Sequence, residues 1–381
     1  MKKYNPDEKV YEMVKNGEGV KVSILDLLDY FREYELMRVS DLHLKVGEPP
    51  CYRKDGILER VDGKKLDETT TKSLIFGLLS EEEEAKVKRG KELDSSYQTK
   101  GYRFRINIFY DIDGIAASIR ALPLEIPKIE DIGFPNNVWE DIIKRSYGFI
   151  LITGITGSGK STTIASLIEK INETRQCRII TLEDPIEYLF KQKKALISQR
   201  EIGRDTGSFS DGLRAMMRED PDVIFVGEMR DRDSISRTLT ASETGHLVFS
   251  TLHTRDAIGS ITRILDYFPT DRQNEVRNQL SLGLSYIISQ KLIPKKDGKG
   301  RVVAMEILNN DYAVANLIRV GKIEQIYSQI QTKTKDYLPE QKMTTLEMSI
   351  ANLVKKDIIE IKEAERWVNH LDSFKDLMNY G

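Results

Sequence analysis

The sequence predicts an α/β protein in which a small α+β domain precedes a domain with a mostly parallel β-sheet wrapped by helices, and a helical tail follows. Two patterns predict this arrangement. Between residues 136 and 310, short apolar runs alternate with helical periodicity, which is typical of parallel strands joined by helical crossovers. Before residue 121, the strand patterns come in neighbouring pairs instead. The length of 381 residues accommodates two or three domains.

Composition and charge exclude several classes of protein. Charged residues make up 31% of the chain but nearly cancel to a net charge of −2, so no global attraction to nucleic acid or to a membrane surface results. No apolar run approaches the roughly 18 residues of a spanning helix, and the N-terminus lacks the apolar segment of a signal peptide. Cys51 and Cys177 stand far apart and suit a reducing compartment. We therefore expect a cytoplasmic protein without nucleic-acid binding or membrane insertion.

Changes of pattern along the chain divide it into five segments. The first segment, residues 1–20, is polar, contains Gly17 and Gly19, and is expected to be partly helical. Prolines interrupt the third segment, residues 122–135, which is therefore expected to be a linker. The segments are an N-terminal extension at 1–20, an α+β domain at 21–121, the linker at 122–135, the α/β core at 136–310 and a helical C-terminal region at 311–381 with a loop near Pro339.

Periodicity and turn residues predict the elements of the α+β domain. Residues 23–37 have helical spacing with Ser23 placed as the N-cap, and residues 67–90 are predicted to be helical. A hairpin turn is expected at Lys54-Asp55-Gly56. Strands are predicted at 40–46, 51–53, 57–61, 102–110 and 114–120.

The α/β core is predicted to contain alternating strands and helices. Its strands are expected at 148–153, 177–182, 195–199, 222–227 and 247–251. Its helices are expected at 136–146, 160–174, 208–219, 231–243 and 256–266.

A phosphate-binding loop follows the first of these strands. The pattern Gly-x-x-x-x-Gly-Lys-Ser lies between a short buried strand and a helix, the context in which it cradles phosphates with backbone N–H groups. Lys160 is expected to reach the β- and γ-phosphates, and the Ser161 hydroxyl to bind Mg²⁺. The sequence therefore predicts that ATP and Mg²⁺ bind here, on Gly154, Thr156, Gly157, Ser158, Gly159, Lys160, Ser161 and Thr162.

Reactive side chains stand at the ends of other predicted strands of the core. Because ligands bind outside the carboxyl ends of parallel strands, Glu183, Glu228 and His253 are expected near the loop. An Asp usually ends the strand that supports the metal, but here Gly227-Glu228 occupies that place and Asp222 begins the strand. Glu228 is therefore the candidate for activating water. Glu183, with Asp184 as a possible helper, is the candidate for holding Mg²⁺ or its waters.

The two histidines near the last predicted strand have open roles. His253 ends the strand and is a candidate contact for the γ-phosphate, while His246 just precedes the strand and is a further catalytic candidate. For both histidines, the alternative to a role at the nucleotide is a structural hydrogen bond. For each of the candidate carboxylates, the alternative is a solvated position on the surface. A metal site built on the histidines is not expected, because neither has a cysteine partner or HExxH spacing.

The chain carries four motifs in succession, at 154–161, 181–187, 218–231 and 244–254. In this order they resemble the Walker A, Asp box, Walker B and His box of the secretion-type hexameric ATPases of the type II/IV secretion family. Segments near the start, Ser40-Asp-Leu-His-Leu44 and Gly47-Glu-Pro-Pro50, are typical of the family's N-terminal domain. Within that family the chain is most similar to the PilT-like twitching-motility ATPases, which retract type IV pili.

The resemblance implies more than the residues themselves predict. It implies a RecA-like P-loop ATPase domain behind a PAS-like N-terminal domain, and a homohexameric ring with ATP bound between protomers. It also implies that arginines of the N-terminal domain contact phosphate, with Arg105 and Arg120 as the matching residues and Arg103 as a further candidate. The alternative for each is a solvated arginine on an exposed strand. An inner-membrane pilus platform protein and paralogous pilus ATPases are the implied partners.

The direction of work is left open by the sequence. PilB-like extension ATPases usually carry an additional N-terminal domain and a four-cysteine zinc site, for which this chain lacks the cysteines. PilT-like chains carry Ala-Ile-Arg-Asn-Leu-Ile-Arg-Glu, and here Ala315 and Val320 replace its first Arg and its Glu. Retraction is the main interpretation. A type II secretion or pilus assembly ATPase and a weakly hydrolysing regulatory paralogue are the alternatives.

Overall fold

The computed structural model describes residues 4–15, 17–33, 39–54, 56–90, 92–99, 102–123, 125–335 and 342–379. The chain divides into two compact units, Met1–Glu125 and Ile126–Gly381. Residues 126–135, within the predicted linker, contain a 3₁₀ turn at Ile129–Asp131, and Ile129 is buried in the core of the second unit.

The first unit is built on an antiparallel sheet and on a separate hairpin. Its helices are α1 (Ile24–Glu33), α2 (Glu68–Gly77) and α3 (Glu81–Lys88). Its strands are β1 (Tyr11–Lys15), β2 (Glu18–Val22), β3 (Val39–Lys45), β4 (Cys51–Lys54), β5 (Ile57–Arg60), β6 (Leu93–Gln98), β7 (Tyr102–Asp111) and β8 (Gly114–Pro123). The strand order of the sheet is β5-β4-β3-β8-β7-β6, and β1 and β2 form the hairpin.

Several predictions for the first unit need correction. The partly helical extension is wrong for the described residues, because β1 and β2 pair there and bury Tyr11 and Val22 in the core. The helix predicted at 67–90 is two helices, since Ser80 caps a new N-terminus by accepting from the Glu83 N–H. Strand β6 was not predicted, because its polar sequence lacks a strand pattern. Residues 34–37 of the first predicted helix and Asp55 of the hairpin turn lie outside the described residues.

The second unit is built on a second, larger sheet. Its strands are β9 (Gly148–Thr153), β10 (Arg178–Glu183), β11 (Leu196–Glu201), β12 (Val223–Val226), β13 (Leu247–Leu252), β14 (Leu284–Pro294) and β15 (Arg301–Asn309). The strand order is β11-β10-β12-β13-β9-β14-β15. All neighbouring pairs are parallel except β14 and β15, so the prediction of a mostly parallel sheet wrapped by helices is confirmed.

The helices of the second unit include every one predicted for the α/β core, and helices follow it as expected. The loop expected near Pro339 lies outside the described residues. The helices are α4 (Val138–Lys144), α5 (Lys160–Thr174), α6 (Phe209–Met216), α7 (Arg232–Glu243), α8 (Ala257–Asp266), α9 (Gln273–Gly283), α10 (Tyr312–Arg319), α11 (Ile326–Lys335), α12 (Leu346–Lys355), α13 (Ile361–Trp367) and α14 (Leu371–Asn379).

Burial on both faces explains why the central strands are almost wholly apolar. Phe149 and Leu151 of β9 pack in one core with α6 to α11, while Ile150 and Ile152 pack in a second core with α4 and α5. Because β9, β10, β12 and β13 are parallel to one another, their carboxyl ends lie at the same edge of the sheet. Strands β14 and β15 and helix α9 were not predicted, because buried polar residues such as Gln290 interrupt the apolar pattern of β14.

Candidate nucleotide-binding and catalytic site

The glycine-rich loop between β9 and α5 requires glycine at two positions. Gly154 has φ +146°, and a Cβ there would lie 2.5 Å from both the Gln290 carbonyl oxygen and Ser158 Oγ. Gly159 caps α5 in the left-handed region with φ +86°. Both positions therefore favour glycine strongly. The backbone geometry agrees with a loop that turns tightly into a helix N-terminus, which is where anions bind.

The exposure of the other loop residues varies. Thr156 and Gly157 are exposed, Ser161 is half-buried, and Ser158 is buried. The half-buried Thr162 hydroxyl shares a hydrogen bond of 2.9 Å with the hydroxyl of Tyr188. This contact was not foreseen, and it ties the first turn of α5 to the segment that follows β10.

Lys160 is held over the loop by the loop's own carbonyls. Its Nζ donates to the Gly154 oxygen at 2.8 Å and to the Ile155 oxygen at 3.2 Å, and only 8% of the residue is exposed. Burial lowers the pKa of Lys160, while the carboxylate of Glu228 opposes that shift. The charged ammonium therefore sits beside the loop, on the side where Glu228 also lies.

His253 connects Lys160 to Glu228. Its Nδ1 lies 3.4 Å from Lys160 Nζ, and its Nε2 lies 3.3 Å from Glu228 Oε1. Burial, followed by the charge of Lys160, lowers the pKa of His253, which favours the neutral imidazole. Because an ammonium only donates hydrogen bonds, Nδ1 accepts and the proton on Nε2 faces the Glu228 carboxylate. The structure thus brings these three predicted residues together.

Glu228 also forms an ion pair that sequence reasoning missed. Arg230 Nε donates to Glu228 Oε2 at 2.8 Å, and Arg230 Nη1 donates to Asp184 Oδ2 at 2.9 Å. Arg230 therefore joins the ends of β10 and β12 through two carboxylates. Its place two residues after Glu228 in the motif was a signal, but the direction of its side chain was not readable from the sequence.

Glu183 ends β10 and is almost fully buried, with 6% of the residue exposed. Its Oε1 accepts hydrogen bonds from Thr181 Oγ1 at 2.7 Å and from Gln199 Nε2 at 3.3 Å. Both donors are neutral groups, a hydroxyl and an amide. Burial is the main cause that raises the pKa of Glu183 to about 7. A buried carboxylate with neutral partners is a favourable place for a cation to approach.

The carboxyl ends of β10 and β12 are in backbone contact at Gly227. The Gly227 N–H donates to the Leu182 oxygen at 2.8 Å, and a Cβ on Gly227 would lie 3.3 Å from the Glu183 Cα. Glu183 and Glu228 therefore leave neighbouring strand ends side by side, as the rule for parallel strands predicted.

His246 lies at the opposite end of the sheet. Its carbonyl accepts from the Gly148 N–H at 3.0 Å, at the start of β9, and its Nδ1 donates to the Ala241 oxygen at 2.9 Å. His246 and His253 flank the six residues of β13, so seven residue steps at the rise of a strand separate them by about 23 Å. Within this chain His246 makes the structural hydrogen bond that was the alternative, and it does not join the cluster at the loop.

Arg105 and Arg120 lie side by side in the first unit, directly opposite each other on β7 and β8. Arg120 Nε donates to Asp41 Oδ1 at 2.8 Å, and Arg105 Nη2 lies 3.6 Å from Asp94 Oδ1. The two arginines, with Asp41, Asn107 and Ser118, line an open depression of about 150 Å³.

Arg103, the further candidate, lies on the same strand but is 9% exposed and donates to Ser96 Oγ at 3.4 Å. Its guanidinium is therefore far less accessible than those of Arg105 and Arg120.

No group of three or more His, Cys, Asp or Glu suited to a metal occurs among the residues that the structure describes. Cys51 and Cys177 are free thiols and half-buried. Within the same described ranges, no helix has both the length and the apolar character needed to cross a membrane.

The buried strand, glycine-rich loop and helix, with acidic side chains at neighbouring strand ends, define a P-loop nucleotide-binding domain. The sequence profile of the family described as type II/IV secretion system protein matches residues 30–366. The chain belongs to this family, and the resemblance drawn from its motifs is confirmed.

Individual relatives agree in sequence and in structure. The chain is 43% identical over 326 residues to the Pseudomonas aeruginosa "Type IV pilus retractation ATPase PilT", covering 85% of this chain and 93% of the relative. It is 39% identical over 345 residues to a "Twitching motility protein" of Neisseria gonorrhoeae, covering 89% of this chain and 91% of the relative. The crystal structure of the pilus retraction motor PilT with bound ADP superposes with a TM-score of 0.80 at 44% identity, covering 92% of this chain and 99% of that one. The fold class predicted from sequence is therefore confirmed.

Proposed function

We propose that the protein is an ATPase motor that hydrolyses ATP to drive type IV pilus retraction, and hence twitching motility. The observation that carries this proposal is the chain of contacts from Lys160 through His253 to Glu228 beside the glycine-rich loop. The similarity to PilT over most of both chains supports the pilus as the place where the motor works.

ATP binds through the loop and the first turn of α5. Backbone N–H groups of the loop and the N-terminus of α5 attract phosphate oxygens. Lys160 exchanges its hydrogen bonds with the Gly154 and Ile155 carbonyls for the β- and γ-phosphates. Because the ammonium is already held over the loop, little reorganisation is needed.

The residues present fit a Mg²⁺ ion bound with ATP. A hard cation prefers oxygen ligands, and the Ser161 hydroxyl and the buried Glu183 carboxylate supply them or hold their waters. The neutral partners of Glu183 leave its charge to be balanced by a cation. When bound, Mg²⁺ neutralises charge on the β- and γ-oxygens.

Glu228 orients or deprotonates the attacking water. Its carboxylate is held from one side by Arg230 and from the other by His253, so its direction is fixed by two contacts. His253 lies between Glu228 and Lys160, which suits it to register whether a γ-phosphate is bound. Hydrolysis in this arrangement depends on positioning and electrostatic stabilisation, as in other phosphoryl transfers.

Arg105 and Arg120 complete the site of a neighbouring protomer in a homohexameric ring. Guanidinium groups stabilise charge on a transferring phosphoryl group, and these two are exposed and adjacent. The ring works at the cytoplasmic face of the inner membrane, against a pilus platform protein and alongside paralogous pilus ATPases. It needs no nucleic acid and no membrane insertion.

One observation favours a second candidate, a weakly hydrolysing regulatory paralogue. Helix α10 carries Ala315 where PilT-like chains have Arg, and the exposed Val320 follows it in place of Glu. Both changes remove charge from a surface segment and leave the nucleotide site intact. The purified chain separates the candidates, because a motor hydrolyses ATP at rates of an ordinary ATPase and a regulator hydrolyses little.

Complementation tests the motor proposal directly. The chain, expressed in a strain that lacks its pilus retraction ATPase, is expected to restore twitching, and its Lys160→Ala variant is expected to fail. If the chain hydrolyses ATP but restores type II secretion or pilus assembly in the corresponding strains and never twitching, the proposed direction of work is wrong.

A further inference from the structure

Gln290 of strand β14 lies beneath the phosphate-binding loop with both ends of its amide in use. Its Nε2 donates to the Ser158 carbonyl at 2.6 Å, and its Oε1 accepts from Thr163 Oγ1 at 3.0 Å. Only 1% of the residue is exposed. A buried amide with both ends satisfied has one orientation, so the loop and the first turn of α5 are both fixed to β14.

The backbone and side chain of Gln290 also lie close to two loop glycines. A Cβ on Gly154 would lie 2.5 Å from the Gln290 carbonyl oxygen, and a Cβ on Gly159 would lie 3.2 Å from Gln290 Nε2. Gln290 therefore approaches the loop at its first glycine and at its last. Inside the loop, the Ser158 N–H donates to the Ile155 oxygen at 3.2 Å, a longer contact than the one from Gln290.

The contact to Ser158 has a consequence for the next peptide group. In a planar trans peptide, the carbonyl of one residue and the N–H of the next point in opposite directions. By holding the Ser158 carbonyl towards β14, Gln290 directs the Gly159 N–H away from β14. Backbone N–H groups are the donors that such a loop offers to phosphate, so their direction governs binding.

We propose that Gln290 is a positioning residue that orients the loop's N–H donors for phosphate. The proposal rests on the proposed function of the loop as the ATP site. Gln290 itself touches Ser158, Thr163 and the glycines, and acts on the nucleotide through them.

The neighbouring residue on β14 supplies a matched control. Successive side chains of a strand point to opposite faces, and Lys291 Nζ donates to the Trp367 oxygen and to Asn369 Oδ1, both at 2.7 Å. Lys291→Met therefore removes two polar contacts from the same strand without touching the loop. Gln290→Met removes the amide while keeping an unbranched side chain of similar length.

The experiment measures ADP affinity by calorimetry and the rise in Tm that ADP produces. Gln290→Met is expected to weaken ADP binding roughly tenfold, as the loss of a buried hydrogen bond allows, and to shrink the ADP-induced rise in Tm. Lys291→Met is expected to lower Tm with and without ADP equally and to bind ADP like the unsubstituted protein. A merely structural role of Gln290 would give the Lys291→Met pattern.

Thr163→Val provides a second variant in case Gln290→Met does not fold. It removes the donor to Gln290 Oε1 and is expected to weaken ADP binding in the same direction by a smaller factor. Unchanged ADP affinity in the folded variants, beside an unsubstituted protein that binds ADP, overturns the role of Gln290 alone. An unsubstituted protein that binds no ADP overturns the proposed function as well.

Discussion

The two edges of the central sheet carry the same kinds of side chain in different surroundings. At the carboxyl edge, His253 bridges Lys160 and Glu228, and these groups face one another across contacts of 3.3 and 3.4 Å. At the amino edge, His246 donates to a backbone carbonyl and Asp222 Oδ2 accepts from the Arg178 N–H at 2.7 Å. At the carboxyl edge, charged and titratable side chains contact one another beside the loop. At the amino edge, similar side chains form hydrogen bonds with backbone groups at the ends of strands. Position in the fold, and not residue type, therefore separates the proposed catalytic groups from the structural ones.

Replacing Lys160 is expected to have a large effect on this comparison. Lys160→Ala removes the ammonium that balances phosphate charge, so ATP hydrolysis should fall by about a hundredfold to a thousandfold. Lys170→Ala, near the other end of α5, removes a lysine that pairs with Glu130 at 2.6 Å and should leave hydrolysis unchanged. Steady-state hydrolysis by both purified variants checks this, and similar losses in the two would show that the loop lysine has no special role.

The two histidines test the comparison within one strand. His253→Ala should lower ATP turnover roughly a hundredfold, because Glu228 and Lys160 lose the partner that they share. His246→Ala should leave turnover of the folded protein unchanged and lower Tm slightly, because the contacts that are lost, to the Ala241 carbonyl and the Thr244 hydroxyl, lie outside the cluster at the loop. Turnover and Tm measured on both variants decide the matter. A greater loss of turnover in His246→Ala would reverse the assignment of the two edges.

The pH dependence of unfolding is expected to show a smaller effect at Glu183. Burial raises the pKa of this carboxyl from an ordinary 4.5 to about 7, so between these values the folded protein binds more protons than the unfolded chain. Stability from this group is therefore fully present below pH 4.5 and is lost as pH rises to about 7, by about 3 kcal/mol at most.

The variant Glu183→Gln isolates that contribution. It should unfold at higher denaturant concentration than the unsubstituted protein at pH 8, with the difference shrinking towards pH 5. Denaturant unfolding of both proteins without nucleotide across this pH range provides the comparison. A constant difference at every pH would mean that Glu183 does not titrate between folded and unfolded states in this window.

The sequence predicted the carboxyl edge well because the rule behind it is geometric. Parallel strands end at one edge, so Glu183, Glu228 and His253 followed from the strand boundaries alone. The same rule, applied strictly, places His246 at the far edge, because it precedes its strand. Its inclusion among the catalytic candidates came from the motif rather than from the strand direction.

The contacts that stabilise the loop were beyond the sequence. Gln290 lies 132 residues after Ser158 in a strand that was not predicted, and a lone glutamine in such a segment carries no motif. Arg230 was visible in its motif, but its two carboxylate partners depend on side-chain direction. In the first unit, the pairing of β1 with β2 was missed because polar and glycine residues hid the strand pattern around Gly17.

Glu228→Gln tests the central claim most directly. The change keeps size and shape but removes the negative charge proposed to activate water, so ATP and ADP should bind as before while turnover falls about a thousandfold. Glu219→Gln is the matched control, since Glu219 lies nearby in sequence and pairs with Arg200 at 2.8 Å. Nucleotide affinity and single-turnover hydrolysis are measured on both variants. Retained binding with lost turnover in Glu228→Gln alone is the predicted result, and undiminished hydrolysis in that variant would contradict the account.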